Sequence, residues 1–339
     1  MDPDLHNPQG NARNDFPVVS VVIPAYNASS HIGVTLDSVF RQTFSSYEVL
    51  VVNDGSTDTV GLESALQPYL SHIRYFRQEN RGPSAARNLA IRAALGRYVA
   101  LLDSDDRWLP DHLSHQMKHL LGDSALCLVY ANNMQMLDGQ NVRTAFDSVP
   151  QTAPVNLESL LAEQCTVNTS SVVVLRSAVL HAGLFDERLR RCEDFDLWLR
   201  LAGLGLRMAF DLEVQVIHRL GKGLSSDHES MKRARLAVFR KAARAMSLTA
   251  SEKQIVARKI RKLELEIEIE AAKKHLDAGR FTEARTALRR ARSLTPSLRW
   301  RFAEAAVRYC PRLLRWSYES YLDLLRWYRH RTPASAMGS

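Results

Sequence analysis

Polar side chains follow three apolar runs of this sequence, and their types suit phosphate and metal chemistry. The first loop is Pro24-Ala25-Tyr26-Asn27, the second holds Asp54, and the third is the triplet Asp103-Ser104-Asp105. Carboxylate oxygens are ligands that Mg²⁺ and Mn²⁺ prefer, and these ions often bridge to substrate phosphates. Residues two apart in an extended segment point to the same side, so Asp103 and Asp105 could share one ion. Each loop by itself could instead be a turn or a helix cap.

Two further segments place reactive groups at the start of a predicted helix. Glu193-Asp194 precedes Phe195, Trp198, Leu199 and Ala202, which have the spacing of a buried helix face. Asp194 is therefore either a helix cap or a general base that takes a proton from a hydroxyl nucleophile. Residues 82–88 open another helix with small residues and a proline, where Arg87 could meet a phosphate or pair with the acidic loops.

Short apolar strands alternate with helical patterns over the first 220 residues, which predicts an α/β fold. We predict a mostly parallel sheet with helices on both faces, and a ligand at the carboxyl ends of its strands. The predicted strands are Val18–Ile23, Tyr47–Val52, Ile73–Phe76, Tyr98–Leu102, Leu126–Tyr130, Ser171–Leu175 and Glu213–Ile217. The early helices are predicted near residues 30–42, 58–70, 83–95 and 110–121.

The charge of the 339-residue chain is unevenly distributed, although its sum is only +8. Residues 1–230 carry 19 basic and 27 acidic side chains, whereas residues 231–339 carry 26 basic and 10 acidic ones. Proline and glycine become rare after residue 230, which predicts an all-helical C-terminal region. We therefore predict a disordered leader over residues 1–16, an α/β domain over 17–230 and a basic helical tail over 231–339.

Cysteine spacing and hydropathy exclude several kinds of protein and predict a cellular compartment. The four cysteines show no CxxC spacing, which argues against a zinc ribbon or a disulfide framework and favours a reducing compartment. No apolar run reaches the length of a membrane span, and residues 1–15 lack the apolar core of a secretory signal. These features predict a cytoplasmic protein.

Five blocks in a fixed order make the sequence resemble glycosyltransferase family 2, whose members have the GT-A fold. The blocks are Val-Val-Ile-Pro-Ala-Tyr-Asn (21–27), Val-Asn-Asp-Gly-Ser-Thr-Asp (52–58), Gly-Pro-Ser-Ala-Ala-Arg-Asn (82–88), Leu-Asp-Ser-Asp-Asp (102–106) and Glu-Asp-Phe-Asp-Leu-Trp-Leu-Arg (193–200). The resemblance covers about residues 17–225. It implies inverting transfer of a sugar from a nucleotide-sugar, most simply a UDP-sugar, to an acceptor hydroxyl in bacterial cell-surface polysaccharide or glycolipid assembly.

The resemblance also assigns roles to residues. Asp194 matches the catalytic base and Glu193 its neighbour, while Asp105 and then Asp103 match the ligands of a divalent cation, Mn²⁺ or Mg²⁺. The positions matched to nucleotide-sugar binding are Pro24, Ala25, Tyr26, Asn27, Asp54, Gly55, Ser56, Arg87, Asn88, Asp103 and Ser104.

Two positions depart from the family pattern. Asn53 stands where a second aspartate is common, although Asp54, the residue matched to the uracil contact, is present. The family often has a histidine about five residues before a serine after the last strand, but counting back from Ser225 gives Leu220. His218 lies close to that position in a shifted register, and it is either a third metal ligand or a structural residue.

The basic tail leaves several functions open. Residues 264–297 have the spacing of one tetratricopeptide-like unit, carried by Gly279, Phe281, Ala284, Leu288, Ala291 and Pro296, and a plain helical hairpin is the alternative. Residues 298–331 mix arginine with tryptophan and tyrosine, as in an amphipathic helix lying on the inner face of an anionic membrane; a bundle with a solvated arginine face is the alternative. Nucleic acid is not an expected partner, because no known motif is present. A catalytically silent scaffold that binds a sugar nucleotide is the competing function.

Overall fold

The computed structural model describes residues 16–151, 154–221, 227–295 and 298–309. The predicted leader lies outside the described residues except for Phe16, as do Ser225 and Pro296. The arginine- and aromatic-rich segment is described only as far as Tyr309, so its remaining residues also lie outside.

Strands and helices alternate as far as residue 220, and only helices follow within the described ranges. The strands are β1 (Val19–Ala25), β2 (Tyr47–Asp54), β3 (Arg74–Gln78), β4 (Tyr98–Leu101), β5 (Arg107–Trp108), β6 (Leu126–Leu137), β7 (Gln140–Thr144), β8 (Val172–Leu175) and β9 (Arg207–Leu220). The helices are α1 (Ile32–Phe40), α2 (Thr59–Leu66), α3 (Pro83–Ala93), α4 (His112–Gly122), α5 (Ala145–Ser148), α6 (Leu157–Leu161), α7 (Arg176–His181), α8 (Glu193–Gly203), α9 (His228–Ala245), α10 (Ala250–Asp277), α11 (Phe281–Leu294) and α12 (Leu298–Tyr309).

The strands form one mixed sheet in the order β3-β2-β1-β4-β8-β6-β9-β5, with β7 beside β6. β1 to β4 are parallel to one another, so their carboxyl ends meet at one edge. β8 runs antiparallel to both β4 and β6, whereas β6 and β9 are parallel. The predicted α/β class is confirmed, but beyond β4 only the β6–β9 pair is parallel among the described strands, and the pairs that involve β5, β7 and β8 are antiparallel.

The central strands are buried on both faces, which explains why their sequences are almost continuously apolar. Val21 and Val51 have no exposed surface, and neither does Ile32 of α1, which packs in the same core. Burying such side chains contributes about 1.5–3 kcal/mol each. The core therefore holds β1, β2 and β4 rigidly, and the loops that follow them emerge at set positions.

Two strands are much longer than predicted. β6 continues from Tyr130 to Leu137, and β9 covers fourteen residues where five were predicted. The extra residues are mixed in polarity, because this part of the sheet is only half covered, and their pairing is long-range. The short β5 and the edge strand β7 were not predicted for the same reason.

Helices alone make up the described part of the tail, as predicted. The compact units of the chain divide between Val256 and Ala257, inside α10, whereas the predicted boundary near residue 230 falls at the start of α9. α9 belongs to the first unit, where its Phe239 packs edge-on against Phe195 of α8. In the second unit, Gly279 with φ +72° turns α10 into α11.

The α10–α11 hairpin has a small core of its own. It joins Ala272 and Leu276 of α10 to Ala284 and Leu288 of α11, with Val307 of α12 beside them. Small residues at these places allow the helices to approach closely. The hairpin itself is present, and its tetratricopeptide-like character remains an interpretation.

Candidate active site

The acidic loop after β4, residues 103–106, is held by hydrogen bonds from distant segments of the chain. Asp106 has no exposed surface, and its carboxylate accepts hydrogen bonds from Ser170 Oγ at 2.5 Å and from the Arg219 amide at 2.9 Å. Thr35 Oγ1 of α1 bonds the carbonyls of Ser104 and Asp106 at 2.9 Å each. Asp106 therefore anchors the loop, while Asp103 and Asp105 remain on its outer side.

Asp105 is partly exposed to solvent, and two other carboxylates lie near its own. Partial burial, together with the negative charges of Asp106 and Asp103, raises the pKa of Asp105 to about 6, although His218 opposes the shift. Like charges held this close favour a cation or a donor-rich ligand. The loop thus has the electrostatics that a cation or a cation-bound diphosphate would relieve.

His218, at the end of β9, packs directly against Asp106. Its Nδ1 lies 3.0 and 3.1 Å from the two carboxylate oxygens. Burial alone would lower the pKa of His218, but the hydrogen bond and charge of Asp106, with Asp103 and Asp105, raise it to about 9. Because Nδ1 is engaged by Asp106, Nε2 is the ring nitrogen left for a ligand.

The carboxylates fit a metal ion that is shared with a substrate, and they do not form a complete cage. No group of three or more His, Cys, Asp or Glu side chains in the described ranges could hold a metal ion by itself. Mg²⁺ is usually held by one or two protein carboxylates plus waters and substrate phosphates, and Mn²⁺ also favours oxygen ligands. Asp105 and the half-buried Asp103 supply that number of oxygen donors.

A buried arginine joins this loop to the start of α8. Arg87, from α3, donates to Asp103 Oδ1 at 2.6 Å and to Glu193 Oε1 at 2.8 Å. Burial would lower the pKa of its guanidinium, yet the two carboxylates raise it, so it remains charged. The Phe185 ring covers the guanidinium with its centroid 5.4 Å away. The sequence left two roles open for Arg87, contact with a phosphate and pairing with the acidic loops. In this structure its partners are the carboxylates of Asp103 and Glu193.

Asp194 lies in the first turn of α8, beside Glu193. Its Oδ1 accepts the Phe195 amide at 2.7 Å and its Oδ2 accepts Thr169 Oγ1 at 2.9 Å. Burial and the charge of Glu193 raise the pKa of Asp194 to about 6, against the opposing effects of the two hydrogen bonds and Arg87. A carboxylate with a pKa close to neutral is suited to general-base work. The cap residue of α8 is Cys192, so Asp194 is not the N-cap.

Asp54 is buried at the end of β2, where three protein donors converge on its carboxylate. Oδ1 accepts Gln78 Nε2 at 2.6 Å and the Arg81 amide at 2.9 Å, while Oδ2 accepts the Gly82 amide at 2.8 Å. A carboxylate has about four acceptor positions, so one remains on Oδ2. Gly55 follows with φ +66°, and a Cβ there would lie 2.5 Å from the Asn80 amide nitrogen. Glycine is therefore required at this turn.

The loop after β1 is tied to the loop after β2. The Asn27 amide donates to Ser56 Oγ at 3.1 Å, and Asn27 Oδ1 accepts the Thr57 amide at 2.8 Å. Tyr26, between Ala25 and Asn27, keeps 49% of its surface exposed. The departure at Asn53 is structural, because its side chain bonds Tyr75, Thr59 and the Ser56 amide. The β1 and β2 loops thus form one edge that carries Pro24, Ala25, Tyr26 and Asp54.

Asn88 lies one residue beyond Arg87 and is also buried. Its amide donates to the Phe185 carbonyl at 2.9 Å and to Glu187 at 3.0 Å, and it accepts the Phe185 amide at 2.9 Å. These bonds hold the loop before α8 in place. Contact of Asn88 with a nucleotide stays a prediction.

Sequence reasoning missed the residues that support the site. Thr35 and Ser170 bond the acidic loop, and Asp106 is the residue of that loop that Ser170 holds. Thr169 bonds Asp194. Only Asp106 had a visible signal, because it continues the Asp103–Asp105 triplet. The hydroxyl residues are separated from their partners by 25 to 71 positions, so nothing in the local pattern indicates them.

Parallel strands that end in acidic loops, with Asp194 at the start of a helix, are the arrangement expected of a nucleotide-binding site at the edge of an α/β sheet. The comparisons with known proteins agree. Residues 20–178 match the family model described as glycosyl transferase family 2.

An uncharacterized glycosyltransferase of Rickettsia bellii is 30% identical over 190 residues, which is 55% of this chain and 27% of that protein. The hyaluronan synthase of Pasteurella multocida is 31% identical over 194 residues, 57% of this chain and 19% of that protein. The chain thus matches less than a third of either relative.

Two solved structures share the fold. The crystal structure of S. aureus TarS 1-349 in complex with UDP-GlcNAc has a TM-score of 0.60 at 19% identity, covering 82% of this chain and 81% of that one. The mannosyltransferase PcManGT from Pyrobaculum calidifontis, in complex with GDP-Man and Mn²⁺, has a TM-score of 0.58 at 22% identity, covering 89% and 84%. Residues 20–178 of this chain are thus similar to glycosyl transferase family 2, and the chain has a GT-A-like fold.

Proposed function

We propose that this chain is an inverting glycosyltransferase that moves a sugar from a UDP-sugar to an acceptor hydroxyl. The observation that carries the proposal is the Arg87 bridge. One buried guanidinium holds Asp103 of the acidic loop and Glu193 beside Asp194 within a single cluster. This bridge supports the proposal because the loop proposed for the diphosphate and the carboxylate proposed as the base must be close together for transfer from a nucleotide-sugar. The nucleotide-sugars in the TarS and PcManGT complexes support the same donor class.

The choice of UDP rests on the edge formed by the β1 and β2 loops. The remaining acceptor position of Asp54 suits the single N–H of a uracil ring, and the exposed Tyr26 ring offers a surface for stacking. Gly55, Ser56 and Asn27 keep this edge in shape through the bonds between the two loops. The ribose and diphosphate then lie toward Ser104 and Asp103.

Asp105 and Asp103 would hold the divalent cation, and His218 would add a ligand through Nε2 on giving up its proton there. When bound, Mn²⁺ or Mg²⁺ neutralises charge on the departing diphosphate. Asp194 takes the proton of the acceptor hydroxyl as that oxygen attacks the anomeric carbon from the face opposite the diphosphate. A single displacement of this kind inverts the anomeric centre.

Donor turnover tests this proposal directly. With Mn²⁺ present, we expect at least one of a panel of UDP-sugars to release UDP, and a chelator to abolish the release by removing the neutralising ion. The Asp105→Asn variant should need a higher Mn²⁺ concentration, while Asp138→Asn, in the exposed β6–β7 turn, should match the native chain. Stabilisation of the protein by UDP-sugars without UDP release would favour the silent scaffold. The absence of both stabilisation and release would contradict the UDP assignment.

The setting is proposed to be cell-surface polysaccharide or glycolipid assembly, with the tail resting on an anionic membrane. Among the described residues, no helix combines the length and apolarity needed to cross a bilayer. On α12, Phe302 and Tyr309 are 72% and 71% exposed and stand beside Arg301 and Arg308. Exposed aromatics with arginine suit a helix at the interface of anionic lipid.

Vesicle sedimentation tests the tail. We expect the chain to pellet with vesicles that contain anionic lipid and to stay in the supernatant with neutral ones, because basic residues near an anionic surface each contribute about 1 kcal/mol. Phe302→Ser should lower the pelleted fraction, while Val60→Ser, at a still more exposed apolar site on α2, should not. Equal recovery in the supernatant with both lipids would remove the membrane proposal.

A further inference from the structure

The turn before β8 contacts Asp194, the proposed base, through a side-chain hydrogen bond. Residues 169–171 form a short 3₁₀ turn, and Thr169 in it is buried. Its Oγ1 donates to Asp194 Oδ2 at 2.9 Å. This is the one side-chain hydrogen bond to Asp194 found in the described residues. The other donor, the Phe195 amide, belongs to the same helix turn as Asp194 and cannot fix the direction of the carboxylate relative to the sheet.

Thr169 is itself held firmly. Asn168 caps the turn by accepting the Ser170 amide at 3.0 Å, and its carbonyl accepts the Ser171 amide and hydroxyl at 3.0 and 2.8 Å. Trp108 Nε1 donates to the Ser170 carbonyl at 2.7 Å. A β-branched side chain also has few rotamers. The Thr169 hydroxyl therefore has a set position before any substrate binds.

The same turn contacts the acidic loop. Ser170 Oγ donates to Asp106 and accepts the Asp103 amide at 3.1 Å. Adjacent residues of one turn thus hold the two halves of the proposed chemistry, Asp194 through Thr169 and the Asp103 loop through Ser170. A shift of the turn would move the base and the diphosphate site together.

We infer that Thr169 is a positioning residue, which orients the Asp194 carboxylate so that its free oxygen lone pairs face the acceptor hydroxyl. This inference rests on the proposed transferase function. The groups that face Asp194 are Glu193, Arg87 and the neighbouring Cys192, and neither charged group can replace a directional hydroxyl donor. The hydroxyl of Thr169 bonds Asp194, so it acts on the acceptor step through that carboxylate.

Thr169→Val keeps the shape of the side chain and removes the donor. We expect kcat to fall about 10- to 100-fold, since hydrogen bonds to charged groups are among the stronger ones, while KM for the donor stays unchanged. The acid limb of the kcat profile should move to higher pH, because the lost bond favoured ionised Asp194. Thr169→Ser should restore both, and Thr43→Val, which removes a threonine hydroxyl that bonds the carboxylate of Asp111 and not that of Asp194, should leave both as in the native chain.

A second measurement reads Asp194 without turnover. In protein labelled with ¹³C at the aspartate carboxyl, the Asp194 signal is identified by its absence in Asp194→Asn. Its titration should move to higher pH in Thr169→Val and stay in place in Thr169→Ser and Thr43→Val. An unshifted titration in a folded Thr169→Val protein would overturn the inference. Lack of sugar transfer by the native chain would instead contradict the proposed function, and the titration would still decide whether Thr169 controls Asp194.

Discussion

An Asp194→Asn variant is expected to transfer sugar about 10²- to 10⁴-fold more slowly than the native chain while it still binds the nucleotide-sugar. Asparagine has the shape of aspartate but cannot accept the proton of the acceptor hydroxyl. Its oxygen can keep the bond from the Phe195 amide, and its amino group can donate to Thr169 Oγ1 once the hydroxyl rotates. The local structure is therefore preserved. Initial rates of UDP release with an acceptor, together with donor binding by calorimetry, measure the two effects separately.

The pH dependence follows from the same carboxylate. Because burial and Glu193 raise the pKa of Asp194 to about 6, the native rate should fall below about pH 6, whereas an ordinary aspartate would stay ionised to about pH 4. A raised pKa also means that the folded state binds more protons than the unfolded state between these values. The contribution of Asp194 to stability thus decreases as pH rises through this range.

Asp194→Asn should consequently melt at the same temperature as the native chain or higher at pH 7.5, because it removes an unfavourable buried charge. Asp138→Asn, on the exposed β6–β7 turn, is the matched control and should change neither rate nor melting. A native transfer rate in Asp194→Asn would show that another group is the base.

The second large effect is expected from Arg87→Met, which should lower the free energy of unfolding by about 3–5 kcal/mol and abolish donor turnover. The substitution keeps much of the apolar stem but leaves Asp103 and Glu193 without their shared cation. Since the Asp103 side chain is 35% exposed and water can reach it, the lower end of that range applies. Turnover is lost because two carboxylates that Arg87 holds together then repel each other.

Urea unfolding followed by tryptophan fluorescence measures this change. Arg41→Met is the matched control: Arg41 pairs with Asp37 in α1 at the surface, and such exposed pairs contribute about 0–1 kcal/mol. The loss of unfolding free energy in Arg87→Lys should lie between the losses in Arg41→Met and Arg87→Met, since an ammonium cannot bond both carboxylates with the fixed fork of a guanidinium. An unchanged midpoint in Arg87→Met would mean that the bridge is not a stabilising contact.

Much of the first half of the fold could be predicted from the sequence, because its strands are buried on both faces and therefore read as unbroken apolar runs. β1, β2 and β4 lie within two residues of their predicted bounds. The second half could not be predicted as well. β8 is antiparallel and β6 and β9 extend through polar residues, since these features depend on pairing with distant strands.

The site shows the same division. Asp54, Asp103, Asp105 and Asp194 could be proposed from their positions at strand and helix ends, where backbone geometry alone brings polar groups to one edge. The partners of Arg87 could not be chosen, because a phosphate and a carboxylate both suit a guanidinium. The tertiary structure supplies Asp103 and Glu193, from elements 16 and 106 residues away.

The sequence by itself determined the α/β domain, the helical tail and the order of the acidic motifs, since local hydropathy and turn chemistry control these features. Only the tertiary structure decided what holds the motifs in place. Asp106 beneath the loop, Thr169 on Asp194 and Arg87 between two carboxylates are contacts between segments far apart in the chain. Their geometry depends on how the core packs, which no local pattern records.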